Sequence, residues 1–186
     1  GVVVHGDEKA IAIVGEVDAH GRAGEGAGHV HGRAGGGVPK AEDGRPVPIA
    51  NLPYSGDEVR QIHSLIPQCR LFLGAEATET HFKQLAPKFR VLHPSTHNLI
   101  DDRQPFYSRL VFAPDPANGE DGSLFTYEIF NMSLNADLVV LSGCETGLGL
   151  LSRGEGIVGL SRAFIYAGAS SLVVSLWPVG DQSTSG

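Results

Sequence analysis

The sequence predicts an α/β fold, a mostly parallel sheet with helices on both faces. Apolar runs alternate with amphipathic segments along the chain, and the runs at residues 136–143 and 171–177 are almost continuously apolar. Strands of this kind are typical of a parallel sheet that is covered on both sides. The 186 residues also suffice for one domain with its own hydrophobic core.

Local patterns predict the individual elements in order. The predicted strands are residues 10–14, 70–73, 90–93, 108–113, 123–126, 136–143 and 171–177. The predicted helices are residues 55–66, 78–85, 128–132 and 155–167. Ser55 is an N-cap for the first helix, and Gly168 is the expected end of the last one. Cys69 begins its strand, at the wrong end for chemistry, and is interpreted as structural.

Residues 18–49 interrupt this pattern. They are rich in glycine and hold too few apolar residues to offset the entropy of ordering, which predicts a flexible surface insertion. Their histidines, His20, His29 and His31, have no fixed geometry, so we interpret them as incidental and predict neither a metal nor a cofactor.

Composition excludes several partner classes. A net charge of −7 without a basic stripe argues against nucleic acid, and no apolar stretch approaches the ~20 residues of a membrane span. Two cysteines do not make a disulfide framework, which favours a reducing, cytoplasmic compartment. The chain starts without Met and ends on the polar residues 181–186, so we expect a fragment that is incomplete at its C-terminus.

Cys144 and His97 are the candidate catalytic pair. Cys144 lies in a glycine-rich turn directly after an apolar run, and chemistry in parallel sheets collects at the carboxyl ends of strands. His97 follows a shorter run, 47 residues before Cys144, close to the about 50 residues that separate the pair in caspases. An imidazole beside a thiol of pKa about 8.5 accepts its proton and later protonates the leaving amine. The alternatives are a small buried hydrophobe for Cys144 and a hydrogen-bonded strand-end residue for His97.

Longer segments resemble the CHAT family, caspase-like domains often found beside tetratricopeptide repeats and grouped with caspases, gingipains and separases. The segments are residues 137–149, 154–169 and 175–184, with weaker similarity at 52–59 and at 93–97, where the family usually has His-x-x-Thr-His-Gly. The resemblance covers residues 11–184 apart from 18–49. It implies one caspase-like domain over residues 1–186, and a tetratricopeptide-type regulatory domain in the parent chain.

The resemblance also implies roles for individual residues. Cys144 would attack the scissile carbonyl of a protein or peptide substrate, and His97 would act as general acid and base. The oxyanion hole would use the backbone N–H groups of Cys144 and of Asn98, which replaces the family's glycine. Asparagine tolerates the left-handed backbone better than other side chains do. His93 is interpreted as a packing group.

Pro94 departs from what a central strand tolerates. It has no N–H for a ladder hydrogen bond, which predicts that the strand ends at His93 and leaves His97 on a loop.

The segment after the last strand is the expected substrate site. Ser175 and its neighbours would pair with an extended substrate as an added strand, and Trp177 would wall the pocket for the residue before the cut. Asp181 matches a position that resembles an arginine selector in separases, where a carboxylate suits a guanidinium. The alternative is that Asp181 caps a following helix.

Three functions follow. The first is a cysteine endopeptidase, cleaving after basic residues and controlled by an attached repeat or partner domain. The second is a catalytically impaired scaffold for protein interaction or signalling, with Pro94 and Asn98 recording lost catalysis. The third, a phosphate-binding module, is disfavoured because Glu155 stands between the glycines where an anion would sit.

Overall fold

The structure is a computed structural model, and it describes residues 10–14, 55–66, 69–142 and 155–174. The strands are β1 (Ala10–Val14), β2 (Arg70–Leu73), β3 (Val91–Ser95), β4 (Asn98–Leu99), β5 (Arg109–Val111), β6 (Ser123–Phe125), β7 (Leu138–Leu141) and β8 (Leu172–Val174). The α-helices are α1 (Ser55–Leu65), α2 (Glu79–Leu85), α3 (Thr126–Ile129) and α4 (Glu155–Ala167). Short 3-10 turns occupy Gly74–Glu76, Ala86–Lys88, Pro105–Tyr107 and Pro116–Asn118.

The main sheet has the strand order β2-β1-β3-β7-β8, and every neighbouring pair in it is parallel. A smaller antiparallel sheet has the order β4-β5-β6. The predicted α/β class is confirmed, and the strands predicted at residues 108–113 and 123–126 form the antiparallel pair β5 and β6. The sequence did not predict β4, because Asn98 and Leu99 follow the polar residues 95–97 and are too short to show a strand pattern.

Side chains alternate between the two faces of the main sheet. On one face Val59 of α1 forms a small cluster with Cys69, with Leu71, Leu73 and Val91 packed against it. On the other face the larger core joins strand residues to α2 and α4, including Phe72, Leu92, Val139, Phe82 and Phe164. Helices therefore cover both faces, and Cys69 is a buried core residue, as predicted.

Caps set the helix ends. Thr78 is the N-cap of α2, where its Oγ1 accepts a hydrogen bond from the backbone N–H of His81 at 3.1 Å, so α2 begins one residue later than predicted. α3 begins at Thr126 rather than at Glu128, because the Glu128 carboxylate accepts from the backbone N–H of Phe125 at 2.9 Å and closes the first turn. Gly168 ends α4 at φ +117°, as predicted.

The prediction that β3 ends at His93 is wrong, because β3 runs through Pro94 to Ser95. The Pro94 carbonyl accepts from the Ser142 N–H at 3.1 Å, so the missing N–H would also have pointed toward β7. The ladder to β7 skips His93 and Pro94, then resumes where Ser95 pairs with Ser142. The proline removes a donor on one side only, and β1 continues to pair with β3 on the other side.

None of the helices in the described ranges is long and apolar enough to cross a membrane. The predicted insertion at residues 18–49 lies outside the described residues.

Candidate active site

His97 lies two residues beyond the carboxyl end of β3, on the connection to β4. Its backbone carbonyl accepts a hydrogen bond from the N–H of Val111 at 3.0 Å, and its side chain is only 1% exposed. The neighbouring Thr96 is fully buried, and its hydroxyl donates to the Val111 carbonyl. His97 therefore lies on a loop between β3 and β4, as predicted, and these hydrogen bonds to Val111 hold that loop against β5.

The strand that precedes Cys144 is the neighbour of the strand that precedes His97. β3 and β7 are adjacent and parallel, so their carboxyl ends meet at the same edge of the sheet. At that edge Ser95 pairs with Ser142, and the Thr96 N–H donates to the Ser142 carbonyl at 3.0 Å. Cys144 follows Ser142 by two residues and lies outside the described residues.

Glu58 of α1 joins the ends of these two strands. Its carboxylate accepts a hydrogen bond from the Ser95 hydroxyl at 2.8 Å and from the Ser142 hydroxyl at 2.7 Å. The Glu58 side chain is only 13% exposed. Sequence reasoning missed this residue. Two features of the sequence could have indicated it. One is an acid in the first turn of the first helix, and the other is a serine near the end of each of the two strands, Ser95 and Ser142.

The Glu58 carboxylate is held in its ionised form. Burial raises its pKa, but contact with His93 and the hydrogen bond from Ser142 outweigh burial, and the pKa lies below its usual value. The His93 Nε2 atom lies 3.4 Å from Glu58 Oε1, a close electrostatic contact whose geometry is not that of a hydrogen bond. His93 is 8% exposed, in agreement with a packing role beneath α1.

Asn98 is the first residue of β4 and lies opposite Leu110. Because the Val111 N–H donates to the His97 carbonyl, Asn98 and Leu110 form a pair without direct hydrogen bonds. The backbone N–H of Asn98 therefore points away from β5, toward the outer edge of the small sheet. Asn98 lies in a strand, so this position does not use the left-handed backbone region that asparagine tolerates.

The Asn98 side chain is only 2% exposed, and its Oδ1 atom has no hydrogen-bond partner among the described residues. A buried amide oxygen without a donor destabilises a fold by about 1–3 kcal/mol. This is the observation that most distinguishes the site from one with glycine at the same position.

The three predicted substrate residues, Ser175, Trp177 and Asp181, lie outside the described residues. The strand before them, β8, pairs with β7 in parallel and ends at Val174. Its carboxyl end therefore lies at the same edge of the sheet as those of β3 and β7.

Within the described ranges, one group of carboxylates is close enough together to hold a metal ion: Glu79, Glu120 and Glu128. The ammonium of Lys83 already lies among them, at 2.7, 3.0 and 2.8 Å respectively. The cluster is thus a partly buried ion-pair network, and it links α2 to the loop before β6 and to α3.

Comparisons with known proteins identify the family of the chain. A family model described as the CHAT domain matches residues 7–186. A segment of 52 residues is 40% identical to tetratricopeptide repeat protein 28 of Mus musculus, and this segment is 28% of the chain and 2% of that protein. The family match extends over almost the whole chain and includes His97 and Cys144. The chain therefore belongs to the CHAT domain family, which has a caspase-like, peptidase-type fold.

Proposed function

We propose that this domain is a cysteine endopeptidase in which His97 and Cys144 form the catalytic dyad. The observation that carries the proposal is the register at the sheet edge. Ser95 pairs with Ser142, and His97 and Cys144 each follow by two residues. Equal offsets from a paired position on adjacent parallel strands support a dyad shared between the two strand ends.

Such a dyad would cleave a peptide bond in two steps, formation of a thioester and its hydrolysis. The Cys144 thiol gives its proton to the His97 imidazole, and the sulfur attacks the peptide carbonyl. As the C–N bond breaks, the imidazolium returns the proton to the leaving amine, and a thioester remains on Cys144. His97 then takes a proton from water, whose oxygen attacks the thioester and releases the carboxylic acid, and the proton returns to sulfur.

Asn98 supplies one oxyanion donor in this proposal, together with the N–H of Cys144. The support is the direction of its backbone N–H, which points to the side of β4 away from β5 rather than into the ladder. A backbone donor does not depend on the side chain, so asparagine can replace glycine if the strand geometry is kept. Donors of this kind lower the barrier by stabilising the negative oxygen of the tetrahedral intermediate.

Substrate binding is assigned to the chain that follows β8. An extended peptide would add to this segment at Ser175, Trp177 would wall the pocket, and Asp181 would select arginine or lysine. The parallel direction of β8 supports this, because it delivers the segment to the edge where β3 and β7 end.

Control by a tetratricopeptide-type domain is part of the same proposal. The similarity to a mouse protein named for that repeat supports it. A free, reactive thiol also needs a reducing compartment, which favours the cytoplasm.

A second function is favoured by the Asn98 side chain. Its buried Oδ1 atom has no hydrogen-bond partner in the part of the chain that the structure describes, and the proposed chemistry makes no use of this atom. A scaffold that has lost activity would tolerate it. The two functions differ in one property, the state of the Cys144 thiol.

Thiol reactivity separates them. The protein is treated with a small alkylating probe between pH 5 and pH 9, and peptide mass spectrometry follows Cys144 and Cys69 separately. An activated Cys144 reacts as a thiolate below pH 7, and His97→Ala slows it sharply. If Cys144 titrates near pH 8.5 and His97→Ala has no effect, the scaffold is the correct function.

A further inference from the structure

Glu58 makes a connection that no other described side chain makes. It begins on a helix outside the sheet and ends between the two strands that carry the candidate dyad. Its partners are 37 residues away at Ser95 and 84 residues away at Ser142. A single carboxylate thus connects three segments that are remote in sequence.

Both serines sit where the strand ladder is weakest. The pairing between β3 and β7 is interrupted at His93 and Pro94, so Ser95 and Ser142 form an isolated pair beyond the gap. Two backbone hydrogen bonds join the strands here, from the Thr96 N–H to the Ser142 carbonyl and from the Ser142 N–H to the Pro94 carbonyl. The Glu58 carboxylate adds one hydrogen bond to each serine, on the side of the sheet that α1 covers.

We propose that Glu58 is a positioning residue for the dyad: it clamps the ends of β3 and β7 and thereby sets the spacing of His97 and Cys144. The inference rests on the proposed function. The Glu58 carboxylate acts through Ser95 and Ser142, two residues before each member of the pair. Without it, the two ends beyond the Pro94 gap can move apart, and proton transfer between imidazole and sulfur requires a separation of hydrogen-bond length.

The charge of Glu58 adds directionality to the clamp. An ionised carboxylate accepts hydrogen bonds only, so both serine hydroxyls must point toward it. Charge-assisted hydrogen bonds of this kind are shorter and stronger than neutral ones. Glutamine at position 58 would keep one acceptor oxygen and nearly the same shape, which makes it the conservative test of whether shape and hydrogen bonding suffice.

The test compares Glu58→Ala, Glu58→Gln and a control, Asp57→Ala. Asp57 lies in the same helical turn but is exposed, and its carboxylate pairs with Arg60 across the surface at 3.1 Å. Alkylation of Cys144 is followed from pH 5 to pH 9 by peptide mass spectrometry, at a temperature where circular dichroism shows every variant folded. Glu58→Ala is expected to slow Cys144 at pH 6 by about tenfold to a hundredfold and to move its profile toward that of an ordinary thiol. Glu58→Gln should recover most of the rate, and Asp57→Ala should match the wild type.

Ser142→Ala provides a milder perturbation if Glu58→Ala does not fold. It removes one hydrogen bond of the clamp and should slow Cys144 in the same direction by a smaller factor. In the double variant Glu58→Ala/Ser142→Ala, the second change should add little, because both residues act through one contact. Multiplying effects would mean that the two side chains act independently, which overturns the clamp.

The outcomes separate this inference from the proposed function. If wild-type Cys144 is activated and depends on His97, but folded Glu58→Ala reacts at the wild-type rate with the wild-type pH profile, only the role of Glu58 is refuted. If wild-type Cys144 itself titrates as an ordinary thiol, the dyad and its clamp are refuted together. A purely structural Glu58 would lower the melting temperature without moving the pH profile.

Discussion

Replacing Glu79 with glutamine should change how the stability of this domain depends on pH. Glu79 is almost fully buried, and burial raises its pKa from 4.5 to about 7, although Lys83 opposes that rise. Its Oε2 atom accepts a hydrogen bond from the Gly122 N–H at 3.0 Å. Glutamine preserves the shape and this acceptor, so Glu79→Gln removes the ionisation while leaving the contact in place.

The magnitude follows from the difference in pKa between the folded and unfolded chains. Between pH 4.5 and pH 7 the folded state keeps a proton on Glu79 that the unfolded state has released. Stability contributed by this group is therefore fully present below pH 4.5 and is lost as the pH rises through 7. The full difference corresponds to about 3 kcal/mol, since each pKa unit is about 1.4 kcal/mol.

Urea unfolding of both proteins at several values between pH 4 and pH 8 measures this quantity. The free energy of unfolding of the wild type, relative to that of Glu79→Gln, should fall by about 3 kcal/mol across this range. Glu76→Gln is the matched control, because Glu76 is an exposed glutamate three residues earlier in the chain. A constant difference between wild type and Glu79→Gln at all pH values would refute the reasoning.

The other predictions concern single atoms in the site and the core. Asn98→Pro deletes the proposed oxyanion donor and should lower hydrolysis of arginine-containing peptides by about a hundredfold or more, whereas Asn98→Gly should not; equal rates for both variants would exclude this donor. Gly122→Ala should lower the free energy of unfolding by at least about 2 kcal/mol, because Gly122 has φ +86° and an added Cβ would lie 2.4 Å from the Phe112 carbonyl oxygen. Phe164→Ala should destabilise the domain by about 3–5 kcal/mol in denaturant unfolding, since Phe164 is fully buried between α4 and the sheet; a change below 1 kcal/mol would contradict that packing.

The local sequence pattern was sufficient to predict most strands of the main sheet and the helices that cover it. The short apolar run in residues 70–73 and the helical period in residues 155–167 each depend on neighbours within a few positions. Both elements appear in the structure with those bounds. The end of α4 was equally predictable, because Gly168 adopts a conformation that other residues rarely reach.

Local pattern failed where the outcome depended on a neighbouring strand. A proline in a strand loses one backbone hydrogen bond to the neighbouring strand. The strand can continue if the remaining hydrogen bonds on both sides hold it in place. At Pro94 the loss affects one interval of the β3–β7 ladder, and β1 pairs with β3 on the other side throughout. Asn98 is similar, since the direction of its N–H was decided by pairing with β5 and not by its own preference for a backbone region.

The sequence by itself determined the fold class, the family and the candidates His97 and Cys144, because these follow from short-range periodicity and from motif residues at set spacings. Only the tertiary structure decided that the strand before His97 lies beside the strand before Cys144, and that Glu58 joins their ends. The physical reason is that strand order and contacts across 37 or 84 residues arise from packing the whole sheet. No local pattern of residues encodes which strand ends will meet.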